Sequence, residues 1–117
     1  MLAIHRSLAA VLVVVGAAFT IGAIVAALRE GARPWLEWGR RTVTALVALQ
    51  GLFGLVLYGS GQRPQESLHL LYGLAGLVVL PFASYFAAEA PPRPRAVVLA
   101  IAGVLTLGIF FRSFATG

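Results

Sequence analysis

His5 and His69 are the only two histidines in a chain that has no cysteine and no aspartate. Two imidazoles and four glutamates are therefore its whole stock of side chains for metal ligation or acid–base chemistry near neutral pH. A pair of imidazoles facing each other across a plane is an axial ligand set for haem iron, which carries one electron without further acid–base groups. If the two rings face each other, haem b is the candidate cofactor, with His5 and His69 as its iron ligands.

Positions around the second histidine extend this reading. Tyr72, Gly73 and Gly76 follow His69 at offsets of three, four and seven, which is one continuous face of a helix. On that face Gly73 and Gly76 would leave room for a porphyrin, and Tyr72 would pack or hydrogen-bond at its edge. Arg6 or Arg63 would meet a propionate through a charge-assisted pair. A catalytic metal held by His5, His69 and Glu66 is the weaker reading, because nothing in the spacing fixes the partner on the first helix.

Such a pair needs rigid elements to hold it, and the charge pattern supplies them. Residues 7–28, 42–62, 67–88 and 96–111 carry no charge, and 60% of the chain is hydrophobic against 11% charged. Crossing about 30 Å of hydrocarbon takes roughly 20 helical residues. The first three runs meet this length, and the shortest does so if Arg95 and Arg112 snorkel to the headgroups. The expected fold is an all-α integral membrane protein, a compact four-transmembrane-helix bundle made from two helical hairpins. One membrane domain over 1–117 would hold helices at 3–28, 41–59, 66–88 and 95–113. The first run resembles a secretion signal, with small residues near Ala26 and Ala27, but its uncharged core exceeds the roughly 7 to 15 residues of a signal, so a retained helix is expected.

The connectors fit a helical membrane bundle. Between the first two spans, Arg29–Arg40 contains Trp35 and Trp38, whose rings suit the headgroup layer. Pro64 suits the first turn of the third helix, and Glu66 its positive end. Ala90–Arg95 holds three prolines and ends one hairpin stiffly. Pro81 predicts a bend in the third helix. Gly16, Gly22, Gly51, Gly54, Gly73, Gly76, Gly103 and Gly108 would let helices approach closely in lipid.

Arginine placement sets an expected orientation. Arg29, Arg33, Arg40, Arg41, Arg93 and Arg95 share one side of such a bundle, and Arg6, Arg63 and Arg112 the other. The excess belongs on the cytoplasmic side, so both termini are expected outside, at the outer face of the inner membrane if the host is bacterial. A formal charge of +5 made entirely of arginine over glutamate suits anionic lipid rather than nucleic acid, for which no binding motif is present. The partners expected are therefore the lipid bilayer and a larger membrane complex or a second copy.

An even number of crossings separates His5 from His69, so their helices run parallel and both rings lie near one surface. The leading functional expectation is a small haem-b-binding electron-transfer protein or subunit. The first alternative is a haem-free assembly or stabilising subunit of a membrane complex, with both histidines contacting partners, lipid or water. The second is a transporter of ions or small molecules, in which Gln50, the strongly polar group mid-way along the second span, would bind the solute. In topology alone the four-span layout resembles small multidrug transporters and fluoride channels, although the first span lacks the embedded glutamate the former would use.

Overall fold

In the computed structural model, residues 2–29, 33–63 and 67–116 are described, and they form four α-helices in chain order. These are α1 (Leu2–Arg29), α2 (Pro34–Gly59), α3 (Leu68–Phe86) and α4 (Pro92–Thr116). All four are long and apolar enough to cross a membrane. Each packs against its neighbour in sequence and α4 closes back on α1, so that α1 and α3 occupy one diagonal and α2 and α4 the other. The result is an elongated all-α bundle of 47 × 22 × 20 Å.

Local chemistry explains where the helices begin. α2 starts at Pro34, seven residues before the expected position, because the charged connector carries the signals of a helix start. Proline at the first position lacks an N–H that would go unpaired there. Glu37 lies in the positively polarised first turn, and Arg40 and Arg41 reach back to it at offsets of three and four. Trp35 and Trp38 are therefore helical residues rather than part of the connector, and both remain exposed. α4 likewise begins early, at Pro92, and accommodates Pro94 within its first turn. α3 runs from Leu68 to Phe86 through Pro81 without a break. The readings of Pro64 and Glu66 fall outside the described residues.

The core is a narrow file of large side chains among small ones. Leu12, Phe19, Val43, Val47, Leu80, Leu99 and Phe110 are buried together with Ala23, Ala26, Ala83, Ala96 and Ala102. Outward-facing Val14, Leu28, Leu55, Phe82 and Phe86 are mostly exposed, an apolar surface suited to hydrocarbon and not to water.

Glycines shape the seams. Along α1 and α2, Trp35 lies on Gly22, Phe19 on Gly39 and His5 on Gly54, a ladder that fixes their antiparallel register. Phe110 of α4 fits against Gly16 of α1 and Gly76 of α3, and Gly103 meets Thr20. Among the described residues, Gly51, Gly73 and Gly108 have no neighbour within 4 Å of a Cβ position. Contrary to expectation, these three do not mediate packing among the described residues.

At the end opposite the histidines, Glu37 connects α2 to α3. One carboxylate oxygen accepts from Arg40 at 2.6 Å and from Arg41 at 3.3 Å, while the other accepts from the Ser84 hydroxyl at 3.2 Å. Arg95 donates to the carbonyls of Ala87, Ala88 and Ala90, filling acceptors that the end of α3 leaves open.

Candidate functional site: the histidine pole

All four helices contribute to a polar cluster where α1 and α3 begin. His5 and His69 reach across the bundle diagonal from α1 and α3, with ring centroids 6.2 Å apart and planes at 69°, an edge-to-face pair. Both side chains are half-buried. The structure thus brings the two imidazoles together even though their helices are not adjacent.

Each ring is held from a neighbouring helix. Gln50 of α2 donates its amide Nε2 to the His5 carbonyl at 2.9 Å, and the same nitrogen lies 3.4 Å from His5 Nε2. Only the amide nitrogen can serve a carbonyl, which fixes the orientation of the Gln50 side chain. A bond to His5 Nε2 from the same amide makes that nitrogen the acceptor and places the ring proton on Nδ1. His5 Cε1 packs against Gly54, where an added Cβ would approach to 3.2 Å.

The other ring is tied to α4. His69 Nδ1–H donates to the Ser113 carbonyl at 2.9 Å, beside the Thr116 hydroxyl at 3.4 Å, which itself donates to Arg112 O. Thus α1 is fastened to α2 through Gln50, α3 to α4 through His69, and the two fastenings meet ring to ring. His5 Nδ1 and Gln50 Oε1 are buried without a hydrogen-bond partner among the described residues.

Other residues named for the site lie elsewhere. Gly73 is exposed and borders open space, whereas Gly76 is buried against Ile109 and Phe110 of α4. Tyr72 pairs with the Arg112 guanidinium, 5.7 Å from its ring centroid. Arg63 donates to the Tyr58 carbonyl and lies 3.7 Å over the Tyr58 ring, which secures it to the end of α2. Arg6 is exposed on α1. Among the described residues no group of three or more histidine, aspartate or glutamate side chains could hold a metal ion.

A porphyrin between the rings would need their ligating nitrogens to face one another across a slot as wide as the macrocycle. As packed, His5 Nε2 faces Gln50 and the ring edge is seated on Gly54, so these residues do not fit the group in this arrangement. Thr20 and Thr106 return their hydroxyls to Gly16 O and Ala102 O in their own helices, at 2.8 and 2.7 Å.

Gln50, singled out in the sequence, joins the histidines, and Gly54, expected as a close-approach glycine, seats the His5 ring, whereas Ser113 and Thr116 carry no such sequence signal. Only the crossing parity of α4 could have pointed to these two. Replacing Gln50 with leucine is expected to lower stability by about 1 kcal/mol, because the His5 carbonyl loses its interhelical donor. Thermal unfolding in detergent measures this, and an unchanged midpoint would contradict the bracing role. No protein-family profile matches the chain, and comparisons with curated proteins and with solved structures give no match.

Proposed function

We propose that this chain is a haem-free assembly or stabilising subunit of a membrane complex, its histidines serving as helix-to-helix braces. The observation that carries the reading is the shared use of the two rings: Gln50 ties His5 between α1 and α2, and Ser113 ties His69 between α3 and α4. Polar braces of this kind hold helices where lipid supplies no hydrophobic drive for their association.

The outer surface supports the same role. Gly51, Gly73 and Gly108 stay open on α2, α3 and α4, where a helix of another subunit could approach closely. A charge excess of six arginines over three favours placing both termini outside the cytoplasm.

Haem binding remains the contrasting reading because one observation favours it: the Nδ1–H of His69 is anchored on a carbonyl, as in many metal-ligating histidines. Absorption spectra of protein purified from haem-replete cells separate the two. The brace reading expects no stoichiometric Soret band and a lower unfolding temperature in His5→Ala and His69→Ala. It also expects migration in a larger complex on native gels of gently solubilised membranes. Stoichiometric haem, lost with either substitution, would overturn it.

A further inference from the structure

Opposite the histidine pole, the start of α2, the end of α3 and the start of α4 enclose a half-open cleft of about 380 Å³. Arg33, Arg41 and Arg95 line it beside the apolar Leu36 and Ala88. From this arrangement we propose that the cleft binds a phosphoryl group of the kind carried by anionic lipid headgroups.

Charge is the first argument. Of the cleft's ionisable residues, three are arginines and one is Glu37, whose carboxylate pairs with Arg40, outside the lining, at 2.6 Å and with Arg41 at 3.3 Å. The lining's excess of arginine over glutamate lies next to an apolar wall, where screening by water is weaker than on an open surface.

The second argument is preorganisation. Arg41 donates its Nε to Glu37, and its guanidinium rests 5.4 Å from the Trp38 ring centroid. Arg95 is fixed by donating Nε and one Nη to the end of α3. Among the described residues, both Nη groups of Arg41 and one of Arg95 then remain as donors on side chains already held in place. Guanidinium forks match phosphoryl oxygens, and holding them beforehand reduces the entropy lost on binding. α2 also begins here, with no side-chain cap from Arg33, so its positive end adds to the field.

Depth is the third. Trp38 is exposed beside Arg41, a placement suited to the headgroup layer, and the exposed Ala88 can meet the glycerol end of a lipid. At the opposite end a groove beside α1 is lined by Ala3, Ile4, Ser7, Leu8, Val11, Leu49 and Phe53, without an arginine.

Native mass spectrometry and thermal unfolding of the full chain in neutral detergent test the site, with short-chain phosphatidylglycerol, short-chain phosphatidylcholine and inorganic phosphate as probes. Phosphatidylglycerol should bind and stabilise in preference to phosphatidylcholine. The double variant Arg33→Gln/Arg41→Gln, which leaves the Arg95 cap intact, should weaken that binding about tenfold or more, and Arg63→Gln/Arg112→Gln should leave it near the parent value. Displacement by millimolar phosphate would support a site that also takes the free anion, while lipid retained against phosphate assigns the source to the headgroup. On the unaltered protein the preference should shrink with added salt. Equal binding of both lipids, equal loss in the opposite-end variant, or a salt-independent preference would overturn the proposal.

Discussion

Replacing Gly103 with alanine is expected to destabilise the bundle by about 1 to 3 kcal/mol, the range for inserting a methyl group into a filled contact. A Cβ at this position would lie 2.5 Å from Thr20 Oγ1, 3.1 Å from its Cβ and 3.2 Å from its Cγ2. Rotating Thr20 does not relieve the clash. Its Cβ is set by the α1 backbone, and moving Oγ1 away would break the 2.8 Å bond to Gly16 O. Thr20 is also almost completely buried, so α1 and α4 must separate instead. Separation would loosen Phe110 from Gly16 along the same seam.

A second substitution distinguishes this clash from a general effect of alanine in α4. Thr20→Ala removes both Oγ1 and Cγ2, so the double variant Gly103→Ala/Thr20→Ala should recover part of the lost stability. Gly108→Ala, on the same helix but facing open space, should be neutral or slightly stabilising. Unfolding titrations in mixed detergent give these differences directly. A Gly103→Ala protein as stable as its parent, with no coupling to position 20, would show that the two helices do not meet as closely as described.

The glycines also show where sequence reasoning stopped. All eight were read as possible close-approach sites, yet Gly51, Gly73 and Gly108 face outward. In a water-soluble bundle the polar face of each helix would reveal its rotation. Here the core and the lipid are both apolar, so the sequence carries little of the helical phase that separates inside from outside. Charge-free length was sufficient for four spans, and crossing parity for placing His5 and His69 at one end. Whether the rings meet depends on helix rotation and rotamers, fixed by Gly54 and Gln50 on one side and by Ser113 on the other. The start of α2 was misplaced for a different reason. Its charged residues suggested a loop, but Pro34 and the Glu37, Arg40 and Arg41 spacing are features of a helix's first turns.

Removing the Glu37 carboxylate tests those first turns more severely than removing any one of its partners. Arg40 is held at 2.6 Å with only 13% of its side chain exposed, and Arg41 and Ser84 converge on the same carboxylate. Exposed ion pairs contribute roughly 0 to 1 kcal/mol, while stripping one partner from a buried pair costs about 3 to 5 kcal/mol. Glu37 itself is 39% exposed, so Glu37→Ala belongs between these limits, at about 1 to 3 kcal/mol. Most of that loss comes from leaving the Arg40 charge half-enclosed without its acceptor. Hence Arg40→Met in the Glu37→Ala background should restore stability, whereas Ser84→Ala in that background should change little, since its acceptor is already gone. Thermal unfolding of the single and double variants measures both couplings. If Glu37→Ala unfolds like the parent, or Arg40→Met worsens it, the carboxylate does not hold α2 to α3 in the way its three donors imply.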